Sequence, residues 1–118
     1  MFDPDLFWQY AENLMTVPHP SECESRIAAG RAYYAFFLTA RDRFENHHQE
    51  TFAHDASDHS KVIRLLQNRN YEPLAEALRQ LLRLREGSDY KMDLVVEGRR
   101  VSLAIKQFHS QYVNCKTI

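Results

Sequence analysis

The sequence predicts an all-α fold, an up-and-down bundle of four main helices plus one short one. Three observations predict it. Glycine and proline are sparse, three and four in 118 residues, whereas a β-protein needs turn residues about every ten positions. Apolar residues recur at three- and four-residue steps in most of the chain. A capping box opens the longest periodic segment. The length suits a single domain over residues 1–118, and 44% hydrophobic residues supply material for one core.

The first helix is expected from about Pro4 to Met15, with Leu6, Phe7, Tyr10, Ala11 and Leu14 as its stripe. Val17-Pro18-His19-Pro20 ends it, because proline removes a donor and restricts its predecessor. The second begins at Ser21-Glu22-Cys23-Glu24, where the serine hydroxyl can accept an orphan amide while Glu24 reaches back. It continues to about Asn46. From Ile27 to Leu38 it is apolar nearly all round, the mark of a buried central helix, and aromatics alternate with alanines so that neighbours can interdigitate.

Polar residues 46–58 read as a loop. A short helix follows at about His59–Asn68, then a fourth near Glu72–Glu86, with Pro73 suited to its first turn and Gly87 as its C-cap. The last is expected from Gly98 to Val113, carrying Val101, Ile105, Phe108 and Tyr112 on one face.

Charge excludes some functions. Fifteen basic and sixteen acidic side chains leave a formal net charge of −1, so no global field draws the chain to nucleic acid or anionic lipid. Any such contact needs a local patch. Cys23 and Cys115 are too few for a disulfide framework and read as reduced thiols of a cytoplasmic protein. The acidic Met-Phe-Asp-Pro-Asp start carries no basic region of a signal peptide. The apolar run 27–40 is too short for a membrane span and contains Arg31; a soluble protein without membrane contact is expected.

Two arginines look wrong for a plain bundle. Arg31 is the one charge between Ile27 and Ala40, and Arg85 extends the leucine stripe of the fourth helix. Buried charges need partners, and Asp89 and Tyr90 follow close behind. The expectation is a buried cluster of Arg31, Arg85, Asp89 and Tyr90, serving either as a structural ion pair or as an anion or nucleotide site. His47, His48, His54 and His59 crowd together with Asp55 and Asp58, yet their spacing fits no zinc pattern; a solvated loop is expected, with no metal and no cofactor. Neither cysteine has the neighbours of a catalytic nucleophile.

Three segments resemble one family. Residues 25–37, containing Arg31-Ala32-Tyr33-Tyr34-Ala35-Phe36, are similar to the R-x-A-x-S-R-A-Y-Y-A-x-F helix of HEPN proteins (higher eukaryotes and prokaryotes nucleotide-binding domain). Asp58-His59-Ser60-Lys61-Val62-Ile63 resembles their T-H-S-G-V-I, with lysine replacing glycine. Residues 81–90, ending Arg85-Glu86-Gly87-Ser88-Asp89-Tyr90, resemble L-x-x-L-R-x-x-A-D-Y. The order is the family's own.

The resemblance implies a helical bundle, often a homodimer, paired with a nucleotidyltransferase antitoxin while the HEPN chain is the toxin. Active members are metal-independent endoribonucleases with an R-x(4–6)-H motif, in which histidine moves protons and arginine binds phosphate. Here the family's histidine position holds Ser88-Asp89-Tyr90. The spacing occurs instead at Arg43 and His48 (and at Arg41 and His47), which are the catalytic candidates. Arg31, Arg85, Asp89 and Tyr90 are the candidates for binding RNA, a nucleotide or the partner, and Tyr90 is either a target of AMP transfer or an ordinary phenol beside Asp89. A non-catalytic dimeric interaction module is the remaining alternative.

Overall fold

A computed structural model describes residues 2–90 and 97–118, with side chains for all of these but 88–90. Among them every regular element is a helix: α1 (Asp5–Leu14), α2 (Glu22–His47), α3 (Ser57–Asn68), α4 (Glu72–Tyr90), α5 (Gly98–Gln107) and α6 (His109–Cys115).

The capping box forms as its residues dictate. Ser21 Oγ accepts from the Glu24 amide at 3.0 Å, and Glu24 Oε1 accepts from the Ser21 amide at 2.9 Å. Two orphan donors are satisfied at once. From this start α2 runs through the middle of the molecule and packs against every other helix. Ala28, Ala29, Ala32, Tyr33, Ala35, Phe36, Phe37, Ala40 and Phe44 are all buried along it. The alanines let α1 and α4 approach closely while the rings fill the space between them.

α1 is rotated relative to its expected stripe. Trp8 and Ala11 are buried, whereas Leu6 is 53% exposed and Tyr10 50% exposed. Trp8 decides the rotation: its indole stacks on Tyr112 of α6 with ring centroids 4.3 Å apart. An indole buries more apolar area than the leucine and tyrosine left outside.

α3 starts two residues earlier than expected. The Asp55 carboxylate accepts from both the Ser57 amide and the Ser57 hydroxyl, so the helix N-terminus is satisfied from the loop. α4 also departs from expectation, running through Gly87 to Tyr90. Gly87 is not at positive φ and is no C-cap. A helical glycine costs roughly 1 kcal/mol, and the packing of α4 on α2 outweighs that.

The last expected helix is two. Phe108, at φ −98° and ψ 7°, separates α5 from α6 without any proline or glycine. The bend buries Phe108, Tyr112 and Cys115 together with Val101 and Ile105, which one straight rod does not achieve. No helix among the described residues is long and apolar enough to cross a membrane.

Candidate functional site

Tyr33, Phe37 and Arg41 stand four residues apart on α2 and therefore share one face. The first turn of α3 faces that row. The His59 ring stacks on Phe37 with centroids 4.3 Å apart and planes 15° from parallel. Tyr34 meets the same ring edge to face. The Tyr33 hydroxyl lies 2.5 Å from His59 Nδ1. Arg85, arriving from the far end of α4, sets its guanidinium 4.6 Å above the Tyr34 ring and 5.4 Å from that of Tyr33.

Beneath this cluster Asp58 is 1% exposed. Its Oδ2 accepts from Arg41 Nη1 at 3.0 Å, and Arg41 also rests over Phe37. Asp58 Oδ1 has no hydrogen-bond partner among the described residues. Asp58 stands in the first turn of α3.

Electrostatics follow from these placements. Burial pushes the Tyr33 phenol above its ordinary range, only partly opposed by the positive charge of Arg85. Burial also lowers the His59 imidazole, with Arg85 acting in the same direction and Asp58 against it. His59 is thus a neutral, half-buried ring beside a permanent cation.

Next to it, Arg26, Ile27, Gly30, Arg31 and Tyr34 line an open groove of about 250 Å³. Tyr34 belongs to both places. Arg26 holds Glu22 at 2.9 Å and reaches the Gly87 carbonyl at 3.4 Å. The groove itself offers cations and an aromatic face, and the His59 imidazole lies on the other side of Tyr34; such groups suit a phosphorylated ligand with an aromatic base.

Arg31 corrects the expectation of a buried cluster. It is exposed, with its guanidinium 4.9 Å over the Phe7 ring. The helix is central, yet its neighbours leave one seam open along Ile27, Arg31, Tyr34 and Leu38. A long arginine stem covers apolar surface there while its head stays in water. Arg85 is half-buried. The side chains of Asp89 and Tyr90 lie outside the described residues.

Arg43 and His48 meet different partners. Arg43 donates to the Ile118 carbonyl oxygen from Nε at 3.1 Å and from Nη2 at 2.7 Å. His48 lies against Phe44 and 3.4 Å from Arg69 Nη1. His54 pairs with Glu45 at 2.9 Å, and no group of three metal-ligating side chains occurs among the described residues. Cys23 is exposed and Cys115 buried, its thiol pushed up to about 12 by burial.

His59 and Tyr33 were not among the candidate site residues, although both lie in the segments that resemble the family. The signal was present in part: Tyr33, Phe37 and Arg41 form an i, i+4 row. Only the return of α3 against that row supplies the histidine. Compared with protein-family models, curated proteins and solved structures, the chain matches none.

Proposed function

We propose that this chain is a HEPN-like protein that binds the phosphate of a nucleotide or RNA through Arg85 and His59, as the HEPN component of a toxin–antitoxin-type pair with a nucleotidyltransferase. One observation carries the reading. Tyr33 and Tyr34, His59, and Arg85 come from the three separate segments that resemble the family, and they meet at one place. Guanidinium and imidazole donors suit a phosphate oxygen, and the half-buried Tyr34 ring suits a base. The partner, a cytoplasmic location and the up-and-down order of a four-helix core belong to the same proposal. A homodimer is supported by the open seam on α2, where Ile27 is 39% exposed.

A metal-independent endoribonuclease is the second reading, favoured by the same arginine–histidine proximity. It rests on Arg85 and His59 rather than on Arg43 and His48, since Ile118 occupies Arg43.

Calorimetric titration with AMP and with a 2′-O-methylated tetranucleotide tests the proposal. Losing a hydrogen bond to an ionised group is worth about tenfold or more in affinity, so Arg85→Ala and His59→Ala are each expected to weaken binding by at least that factor. Arg43→Ala and His48→Ala are expected to leave it unchanged. Equal binding by the Arg85→Ala and His59→Ala variants would sink the assignment. Cleavage of the unmethylated tetranucleotide without added metal, abolished by the same two substitutions, establishes the second reading.

A further inference from the structure

The hydrogen bond between Tyr33 and His59 has two possible directions, and the burial of the phenol selects one. Tyr33 is 0% exposed, so no water is at hand to take its hydroxyl proton. Among the described residues His59 Nδ1, at 2.5 Å, is the acceptor that hydroxyl meets. Were Nδ1 to carry hydrogen and donate, the phenolic proton would be left as a buried donor without an acceptor, a costly arrangement. With the phenol donating, both the hydroxyl proton and Nδ1 are satisfied. Nδ1 is then the accepting nitrogen, and the hydrogen of the neutral ring must sit on Nε2.

We infer that Tyr33 is a positioning residue that holds neutral His59 as its Nε2–H tautomer, so that the ring meets a ligand oxyanion as a hydrogen-bond donor and not as a proton-abstracting base. The surroundings act together. Stacking on Phe37 and the edge contact with Tyr34 fix the ring plane, while Tyr33 fixes its rotation. Asp58 and Arg41, the charged pair behind the ring, are engaged with each other. Arg85 adds positive charge on the tyrosine side. Burial, and after it that cation, disfavour a second proton on the ring. Nε2 carries no protein hydrogen bond among the described residues, which leaves its hydrogen for a ligand.

The identity of that ligand as a phosphate rests on the function proposed above; the tautomer does not. Both a nucleotide monoester and an RNA diester offer the same oxygen acceptors, and AMP and the 2′-O-methylated tetranucleotide separate the two sources.

Long-range proton–nitrogen correlation NMR on the free wild-type protein at about pH 8, above the ordinary histidine range, reads the tautomer directly. The expected result is pyrrole-type Nε2 and pyridine-type Nδ1. Tyr33→Phe is expected to let both tautomers appear. For AMP, His59→Gln, which keeps an N–H near the Nε2 position, is expected to stay within about threefold of wild type, whereas His59→Ala falls about tenfold. A predominant Nδ1–H form in the wild type would overturn the inference. So would a Gln variant that binds as weakly as the Ala variant. If Tyr33→Phe does not fold, the wild-type spectrum and the Gln/Ala pair still decide. Wild-type protein that binds neither probe would remove the phosphate reading, while the free-protein spectrum decides the tautomer by itself.

Discussion

Asp58 and Arg41 illustrate how unequal the two halves of one ion pair can be. The carboxylate is 1% exposed and the arginine side chain 19% exposed. Removing the arginine strands a buried charge, which costs about 3 kcal/mol or more. Removing the carboxylate leaves a cation that can still reach water. Urea unfolding should therefore show a distinctly larger loss for Arg41→Ala than for Asp58→Ala, and equal losses would contradict the burial argument. His59 gives a pH signature of opposite origin. Its folded-state value lies below the ordinary 6.5, so above that pH the ring is neutral in both states and contributes nothing. As pH falls below 6.5 the unfolded chain takes up the proton first, and stability declines until the folded value is passed. Unfolding midpoints measured on either side of 6.5 should show this decline in wild type and less of it in His59→Gln.

At the scale of elements, two helical glycines predict opposite outcomes. Gly87 lies within α4, and a Cβ there would meet nothing within 4 Å. Gly87→Ala should stabilise by about 0.5–1 kcal/mol, because alanine restricts the unfolded chain and favours the helix. Gly98 opens α5 against the start of α2, where a Cβ would stand 2.6 Å from Pro20 Cγ and 3.0 Å from Ser25 Oγ. A proline ring and a buried serine yield little, so Gly98→Ala should destabilise by about 1–3 kcal/mol. Thermal melts of the two variants should move in opposite directions. The start of α2 was readable, because the Ser21–Glu24 box is written in the residues that form it. The end of α4 was not, since Gly87, a residue type that often follows a helix, lies inside this one.

Across the whole molecule, α1 is tied to α6 by contacts spanning nearly the full chain. Trp8 stacks on Tyr112 and donates to His109 Nδ1 at 3.2 Å. Asp5 accepts from the Tyr112 hydroxyl at 2.7 Å and from Lys116 at 2.8 Å. Those bonds, first that of Lys116 and then that of Tyr112, lower the Asp5 carboxyl from 3.8 to about 2. A lowered carboxylate contributes stability above its unfolded value and loses it as pH falls from 3.8 to about 2. Tyr112→Phe deletes one of the bonds, so its Asp5 should titrate nearer the ordinary value and its acid unfolding should begin at higher pH. An unchanged Asp5 titration by NMR would show that the hydroxyl has no part in it.

By itself the sequence determined an all-helical chain with a central, aromatic- and alanine-rich α2 opened by a capping box. Those properties come from periodicity and from hydrogen bonds between near neighbours, which local residues specify. The two arginines it singled out divided: Arg85 stands over Tyr33 and Tyr34, and Arg31 remained on an open seam that no pattern within α2 could reveal. Tertiary structure alone decided which face Trp8 turns inward, where α5 and α6 part at Phe108, and that His59 from α3 joins Tyr33 and Arg85. Each depends on the relative placement of helices far apart in the chain, and only packing in three dimensions sets that placement.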